Sequence, residues 1–366
     1  MSTDKTLRIV VKVGSNVLTR HDGTPNVTNM SGIVDQIAAL RAEGHSVILV
    51  SSGAVACGRS VLKPQHKLDD VQQRQLFSSI GQVHLINIYS RLFGYHDMVV
   101  GQVLTQKENF NSRTSYLNQR ECMLTMLQND VIPIVNENDT ASLTELMFTD
   151  NDELSGLIAA MLDADALVIL SNVDGIYTGN PGDPASELIR VVEPDDDLSG
   201  NIVAVKSGFG RGGMGTKCNI AGKLAKEGVA VYIARGNRAD ILVDLIHNPE
   251  KVPHTFFRPV KGGVSTIKRW IAHSQSFSKG RITVDAQAAR MLRADSAVSL
   301  LPIGITATDG DWEDGDIVTL VDPDGTTIGV GRAAIDSATT AATMGRHGAR
   351  AVIHYDYLYI PKENLL

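Results

Sequence analysis

The sequence contains few cysteines and no excess of positive charge. The three cysteines, Cys57, Cys122 and Cys218, are odd in number and far apart, so they fit neither a disulfide framework nor the CxxC spacing of a metal site. A formal net charge of -7 lacks the basic footprint that sequence-independent nucleic-acid binding requires. We therefore expect reduced thiols, as in a cytoplasmic protein, and no bulk binding of nucleic acid.

Long apolar runs are missing as well. No run approaches the roughly 18 residues that a membrane-spanning helix requires. The N-terminal segment MSTDKTLRIVVKVG lacks the apolar core and the cleavage site of a signal peptide, so we expect a cytoplasmic protein without membrane association. The histidines form no HxxxH or HExxH array and no GxSxG elbow is present, so zinc enzymes and hydrolases have little support.

What the sequence does contain is a regular alternation of short apolar segments with amphipathic ones. The predicted strands are Leu7–Val13, Val47–Val50, Met98–Leu104, Val131–Val135, Ala166–Leu170 and Val229–Ala234. The predicted helices lie around Ile33–Leu40 and over Asp70–Leu92, Tyr116–Asn129, Glu153–Leu162 and Thr216–Glu227. This alternation predicts an α/β fold in which a mostly parallel sheet is sandwiched by helices.

The pattern changes after about Asn237, and a length of 366 residues is enough for two or three domains. From Arg281 onward the segments are shorter: RITVDAQAARML, SLLPIG, DIVTLVD, TTIGVG and AVIHY. They predict a small, separate β-rich domain with one helix.

Polar clusters follow several of the predicted strands, where ligands bind in sheets of this kind. They are Gly14-Ser15-Asn16, Ser51-Ser52-Gly53-Ala54, Asn136-Glu137-Asn138-Asp139 and Ser171-Asn172-Val173-Asp174-Gly175. The amides and carboxylates of the third cluster, and those of Thr149–Asp152, suit the α-carboxylate and the α-ammonium of an amino acid. A metal site, acid–base catalysis or helix capping remain alternatives, although capping explains one aspartate and not the whole run.

The segment from Gly208 to Lys217 contains five glycines in eight residues and then a lysine that opens a predicted helix. Glycines before a helix N-terminus predict a phosphate cradle. A P-loop is rejected because Thr216 followed by Lys217 reverses the required order, and the GxGxxG match is weak. Lys12, at the end of a predicted strand beside Gly14, can add a positive charge to such a site, although alone it is more simply a solvated lysine.

Six segments in order resemble the motif set of the glutamate 5-kinases, a group of the amino acid kinase family. They are KVGSNVLT, VILVSSGAVACGR, PIVNENDTAS, FTDNDELS, LSNVDGIYT and GRGGMGTK. The later segments GRITVDAQAARML, WEDGDIVTLVD and TIGVGR resemble a PUA domain. The resemblance implies an amino acid kinase domain over residues 1–260 and a PUA domain over residues 279–362.

The resemblance also implies roles for individual residues. Lys12 and Lys217 would stabilise charge on the transferring phosphoryl group, and Asp152 would orient both lysines. The implied glutamate-binding residues are Ser52, Asp139, Asp150 and Asn151. The implied ATP-binding residues are Lys12, Gly14, Ser171, Asn172, Gly212, Gly213, Met214, Gly215, Thr216 and Lys217; no protein ligand to a metal is implied. Asn172, Gly215 and Thr149 depart from the residues usual in the family.

The implied reaction is ATP-dependent phosphorylation of the γ-carboxylate of L-glutamate, with Mg²⁺, as the first step of proline biosynthesis. Feedback inhibition by proline, handover of γ-glutamyl phosphate to a reductase and a homo-oligomer are further expectations from the family. Another carboxylate kinase of the family, such as an acetylglutamate kinase, and an RNA-binding PUA protein are the alternatives. The RNA-binding alternative is disfavoured because the residues from Lys279 onward include eight basic and twelve acidic side chains.

Overall fold

A computed structural model of the chain describes residues 5–110, 113–141, 151–196, 198, 213–260, 271, 278–294, 298–348, 350–361 and 364. The chain divides into two units. One comprises Met1–Lys107 with Arg120–Gly263, and the other Glu108–Gln119 with Val264–Leu366. Among the described residues, no helix combines the length and the apolar character that crossing a bilayer requires.

The first unit is built on one large sheet. The strands described in this unit are, in chain order, β1 (Arg8–Val13), β2 (Ser46–Ser51), β3 (Val99–Thr105), β4 (Val131–Glu137), β5 (Ala166–Ser171), β6 (Ile176–Tyr177), β7 (Leu188–Ile189), β8 (Val191–Val192), β9 (Ala230–Arg235) and β10 (His254–Phe257). Among the described residues the large sheet has the order β3-β4-β2-β1-β5-β9-β10-β8, and β6 pairs with β7 apart from it. All its pairs are parallel except that of β9 with β10. The predicted mostly parallel α/β sheet is confirmed.

Helices cover this sheet because its central strands are apolar on both sides. In the described part of the chain up to Gly263, the α-helices are α1 (Ser15–Leu18), α2 (Val27–Ala42), α3 (Ala54–Val61), α4 (Asp70–Gly94), α5 (Arg113–Gln128), α6 (Asn151–Met161), α7 (Met214–Lys226) and α8 (Ile241–His247). Ile9, Val11 and Val13 of β1 pack in a core cluster with side chains of α2, α4 and α8. Since successive side chains of a strand alternate between faces, Val10 and Lys12 point to the other face, where α6 contacts β1.

Helices α3 and α4 pack with their backbones in contact. A Cβ atom on Gly58 would overlap the carbonyl oxygen of Phe77, and one on Gly81 would overlap the carbonyl oxygen of Ala54. Only glycine allows so close an approach. The N-terminus of α4 is fixed separately by a capping box, in which Asp69 accepts from the backbone N–H of Gln72 and the Gln72 side chain accepts from that of Asp69.

The second unit contains a smaller sheet of mainly antiparallel strands. These are β11 (Gly280–Val284), β12 (Ile305–Gly310), β13 (Ile317–Val321), β14 (Thr327–Arg332) and β15 (Leu358–Tyr359), in the order β12-β11-β13-β14-β15. Helix α9 (Ala286–Arg293) is the predicted one, but the prediction of a single helix is wrong because α10 (Ser337–Thr343) is also present. The sequence SATTAAT of α10 has no amphipathic pattern, and its start is instead fixed by Asp336, which accepts from the backbone N–H of Thr339.

Candidate active site

A cavity of about 830 Å³ lies at the carboxyl ends of β1, β2, β4 and β5. Several residues singled out in the sequence line it together: Lys12, Gly14, Ser52, Asp139, Asn151, Asp152, Ser171, Asn172 and Lys217. Their strands are neighbours in the sheet, which brings together side chains that are far apart along the chain. This position agrees with the rule that ligands of such sheets bind beyond the carboxyl ends of the strands.

Two lysines and one aspartate form an ion-paired group in this cavity. Lys12 Nζ lies 2.5 Å from Asp152 Oδ1, and Lys217 Nζ lies 2.8 Å from Asp152 Oδ2. Their side chains are 6%, 10% and 1% exposed for Lys12, Lys217 and Asp152. Burial raises the pKa of the Asp152 carboxyl, but the two ammonium groups outweigh that effect and hold the pKa below its ordinary value. The group has two cations and one anion, so its formal charge is positive by one.

The start of α6 positions Asp152. The sequence predicts this helix from Glu153, but it begins at Asn151, so Asn151 and Asp152 belong to its first turn. The prediction is wrong by two residues because the run of amides and carboxylates is also typical of a capping segment. An anion in the first turn is stabilised by the helix dipole. Asp150 lies outside the described residues.

The start of α7 positions Lys217. Gly213 is the N-cap of α7 and its carbonyl accepts a hydrogen bond from the backbone N–H of Lys217 at 3.4 Å. A lysine so near a helix N-terminus is opposed by the dipole, and Asp152 supplies the compensating anion. Of the described residues in the predicted ATP loop, Lys217 lines the cavity, whereas Gly213, Met214, Gly215 and Thr216 do not. Gly212 lies outside the described residues.

The side-chain amide of Asn151 links the ends of two strands, β2 and β4. Its Nδ2 donates to Ser52 Oγ and to Asn136 Oδ1, each at 2.9 Å, and lies 3.3 Å from the carbonyl oxygen of Ser51. Because Ser52 Oγ accepts from Asn151, the hydroxyl hydrogen of Ser52 is directed elsewhere and can be donated to a ligand in the cavity. Asn136 was not assigned a role of its own in the sequence analysis.

Asp139 belongs to a second charged group, which the sequence analysis did not find. Arg74 Nε donates to Asp139 Oδ1 at 2.6 Å, and Arg74 Nη2 contacts both Asp139 Oδ1 and, at 2.9 Å, Glu137 Oε2. Ser78 Oγ donates to Asp139 Oδ2 at 3.1 Å. One cation thus faces two carboxylates, so the formal charge of this group is negative by one.

The predicted nucleotide contacts near β5 are close to Lys12. The backbone N–H of Gly14 donates to the carbonyl oxygen of Leu170 at 3.2 Å. A Cβ atom on Gly14 would lie 3.4 Å from Lys12 Nζ, so a side chain there would crowd the ammonium group. Ser171 Oγ donates to Asn172 Oδ1 at 3.3 Å, which orients the side-chain amide of Asn172.

Other cavity residues come from segments to which the sequence analysis assigned no role. Arg20 and His21, in the loop after α1, and Arg59 in α3 line the cavity. Within the part of the chain that the structure describes, no group of three His, Cys, Asp or Glu side chains has the arrangement of a metal site.

Two family models match this chain. The model of the amino acid kinase family matches residues 7–235, and the model of the PUA domain matches residues 280–355.

Curated relatives resemble the chain over nearly its whole length. A glutamate 5-kinase of Bacteroides thetaiotaomicron is 59% identical over 353 residues, which are 96% of this chain and 98% of that protein. A glutamate 5-kinase of Chlorobaculum tepidum is 43% identical over 96% of this chain and 97% of that protein.

Among solved structures, carbamate kinase from Giardia lamblia bound to AMP-PNP resembles the chain with a TM-score of 0.51 and 17% identity. The alignment covers 70% of this chain and 99% of that chain. At this identity the likeness concerns the fold alone, and it agrees with the helix-covered, mostly parallel sheet.

Proposed function

We propose that phosphoryl transfer to the γ-carboxylate of L-glutamate takes place in this cavity, because the chain belongs to the amino acid kinase family and, within it, to the glutamate 5-kinases. The observation that carries the assignment of residues is the pairing of Lys12 and Lys217 through Asp152. It supplies two buried ammonium groups whose positions are fixed before any ligand binds. Electrostatic stabilisation is most effective when the charged groups need no rearrangement during the reaction.

The chemistry requires little beyond positioning and charge. A carboxylate with an ordinary pKa near 4.3 is already ionised at neutral pH, so no general base is needed. An oxygen of that carboxylate forms a bond to the γ-phosphorus, and the bond from phosphorus to the bridging oxygen of ADP breaks. The products are γ-glutamyl phosphate and ADP, and no proton is transferred. The transition state is loose and rich in negative charge, which Lys12 and Lys217 would stabilise.

Asp152 has a different part in this proposal. Its carboxylate contacts both ammonium groups, so it holds them together against their mutual repulsion. Each of its two oxygens contacts one ammonium group, so its direct effect is on the positions of the lysines. Mg²⁺ would enter as the counter-ion of the ATP phosphates and neutralise part of their charge.

The acceptor end of the cavity favours an amino acid with a free ammonium group. Arg74, Glu137 and Asp139 carry one negative charge in excess, which an α-ammonium neutralises. An N-acetylated glutamate has no ammonium group and leaves that charge unmatched. The cavity therefore supports glutamate over N-acetylglutamate, the alternative acceptor considered from the sequence.

Three expectations about partners stay predictions of the family resemblance. They are inhibition by proline, assembly into a homo-oligomer and handover of the product to a reductase. Handover is supported by the chemistry, because an acyl phosphate hydrolyses readily in water. Light scattering measures the oligomeric state, and activity measured with and without proline tests the inhibition.

The acceptor is tested by trapping the acyl phosphate with hydroxylamine. Glutamate, N-acetylglutamate and aspartate are each incubated with the protein, MgATP and hydroxylamine, with ATP omitted as the control. We expect hydroxamate from glutamate far above the other two acceptors. Hydroxamate from N-acetylglutamate, with none from glutamate, would contradict the proposed function.

A further inference from the structure

One face of α4 carries polar side chains that are directed at the end of β4. Arg74, Ser78 and Gln82 are spaced by four residues and so lie on one face of the helix. Ser78 donates to Asp139, and Gln82 Nε2 donates to the backbone carbonyl of Glu137 at 3.3 Å. Ser78 and Gln82 are buried. The segment that follows β4 is therefore held by a row of donors along one helix.

Arg74 makes the charged contacts of this row. Nε and Nη2 of its planar guanidinium both contact Asp139, and the same Nη2 also contacts Glu137. The side chains of Glu137 and Asp139 are 5% and 8% exposed. Two buried carboxylates that share one donor nitrogen lie close together, and without a cation between them their negative charges would repel each other.

We propose that Arg74 is a positioning residue for acceptor recognition, which keeps Glu137 and Asp139 together as an ionised pair that receives the α-ammonium of the substrate. This inference rests on the proposed function. Arg74 donates a hydrogen bond to Oδ1 of Asp139, and Ser78 donates one to Oδ2. A carboxylate oxygen can accept more than one hydrogen bond. The remaining acceptor positions of Asp139, which lines the cavity, are thereby fixed for the ammonium group.

The planar fork of the arginine guanidinium sets Arg74 apart from the residues that could replace it. A lysine at position 74 keeps the charge but presents one compact ammonium group, which cannot hold two carboxylates in one plane. A methionine at position 74 removes the charge. The two carboxylates would then repel each other and separate, so they would no longer receive an ammonium group together. Arg74→Met should therefore weaken recognition of the amino group and leave the transfer step at Lys12 and Lys217 intact.

The test compares glutamate with glutarate, a diacid of equal length that lacks the amino group. Steady-state kinetics are measured for the wild type, Arg74→Met, Arg74→Lys and the double variant Arg74→Met/Glu137→Gln. For Arg74→Met we expect the glutamate KM to rise about 30-fold, with kcat changed by less than about threefold. The preference for glutamate over glutarate should fall by a similar factor, whereas a general loss of structure would reduce both activities equally.

The double variant separates charge from packing. Glu137→Gln in the Arg74→Met background leaves Asp139 without a neighbouring carboxylate to repel it, so we expect at least half of the loss in glutamate preference, on a logarithmic scale, to be recovered. A role limited to packing predicts no recovery, because still more contacts are lost. Arg91→Met, an exposed arginine in the last turn of α4, is the matched control and should behave as the wild type.

The outcomes distinguish this inference from the proposed function. If the wild type does not phosphorylate glutamate, the proposed function fails whatever the variants do. If the wild type uses glutamate and Arg74→Met keeps its KM and its preference over glutarate, the role of Arg74 alone is contradicted. If Arg74→Met does not fold, the kinetics of Arg74→Lys decide the question. A raised glutamate KM with unchanged kcat supports the positioning role of Arg74, and an unchanged KM contradicts it.

Discussion

At the scale of single residues, the site depends on two groups of buried charges with opposite excess. Lys12, Lys217 and Asp152 carry one positive charge in excess, whereas Arg74, Glu137 and Asp139 carry one negative charge in excess. Asn151 connects them, since it precedes Asp152 in the chain and donates to Asn136, the neighbour of Glu137. An acceptor with an ammonium group at one end and a carboxylate at the other matches this arrangement.

Asp152→Asn removes the only anion in contact with both lysines among the described residues. The two ammonium groups then repel each other and leave the positions in which they stabilise the transition state. We expect kcat to fall about 100-fold or more, while the KM for ATP does not rise, because the site loses a negative charge. Steady-state kinetics at saturating glutamate measure both values. A kcat within about threefold of the wild type would show that Asp152 does not organise the lysines.

The cysteines provide a test of burial around the site. Burial raises the pKa of the Cys57 and Cys218 thiols to about 11 each, whereas Cys122 is exposed. A thiol alkylates through its thiolate, and at pH 7.5 a thiol with a raised pKa stays protonated. We expect mass spectrometry to find iodoacetamide on Cys122 alone in the native protein and on all three cysteines after denaturation. Equal labelling of Cys57 in the native protein would contradict the described packing of α3.

Sequence motifs identify some of these residues but not others. Lys12, Asp152 and Lys217 lie in motifs that resemble those of a known family, although a lysine at a strand end is by itself unremarkable. Arg74 lies in no such motif, and its partners Glu137 and Asp139 are 63 and 65 residues further along the chain. Its role depends on a tertiary contact between α4 and the end of β4, which local patterns do not contain.

At the scale of elements, the position of α3 depends on its contact with α4. Ser52 and Gly53 directly precede α3, so the packing of this helix also fixes one wall of the cavity. The contact is between backbones at Gly58 and Gly81, which leaves no room for a Cβ atom. A methyl group there must push the two helices apart.

Gly81→Ala should therefore destabilise the protein although alanine favours helices. We expect a loss of about 1–3 kcal/mol in the free energy of unfolding, from overpacking, and a higher glutamate KM because Ser52 moves. Gly94→Ala, at the end of the same helix, is the matched control, since a Cβ there meets no atom within 4 Å. Denaturant unfolding of both variants measures the difference. Equal stabilities of the two variants would contradict the backbone contact.

The six strands predicted before Asn237 match β1 to β5 and β9 to within one or two residues, because runs of apolar residues buried on both faces leave a clear pattern. The short strands β6, β7 and β8 were not predicted. The start of α6 and the existence of α10 were not predicted correctly, because both depend on capping residues that are also typical of turns. Strand β10 lies in a stretch without clean alternation, and it is defined by its antiparallel pairing with β9. Pairing partners distant in sequence decide such elements.

At the scale of the whole molecule, the residues from Lys279 onward include eight basic and twelve acidic side chains. Binding of a nucleic-acid backbone gains its free energy mainly from cations that replace counter-ions, so this balance is unfavourable. We expect no gel shift of a structured RNA at micromolar protein and physiological salt, with a basic RNA-binding protein as the positive control. A salt-sensitive shift below that concentration would revive the alternative of an RNA-binding protein.

Lys217, paired with Lys12 through Asp152, is the residue that we expect to stabilise the phosphoryl group during its transfer to glutamate. The most direct test is the steady-state kinetics of Lys217→Ala, with Lys226→Ala at the exposed far end of α7 as the matched control. We predict that kcat of Lys217→Ala falls at least about 100-fold while the glutamate KM stays within about threefold. Normal turnover with only a raised glutamate KM would contradict this role of Lys217.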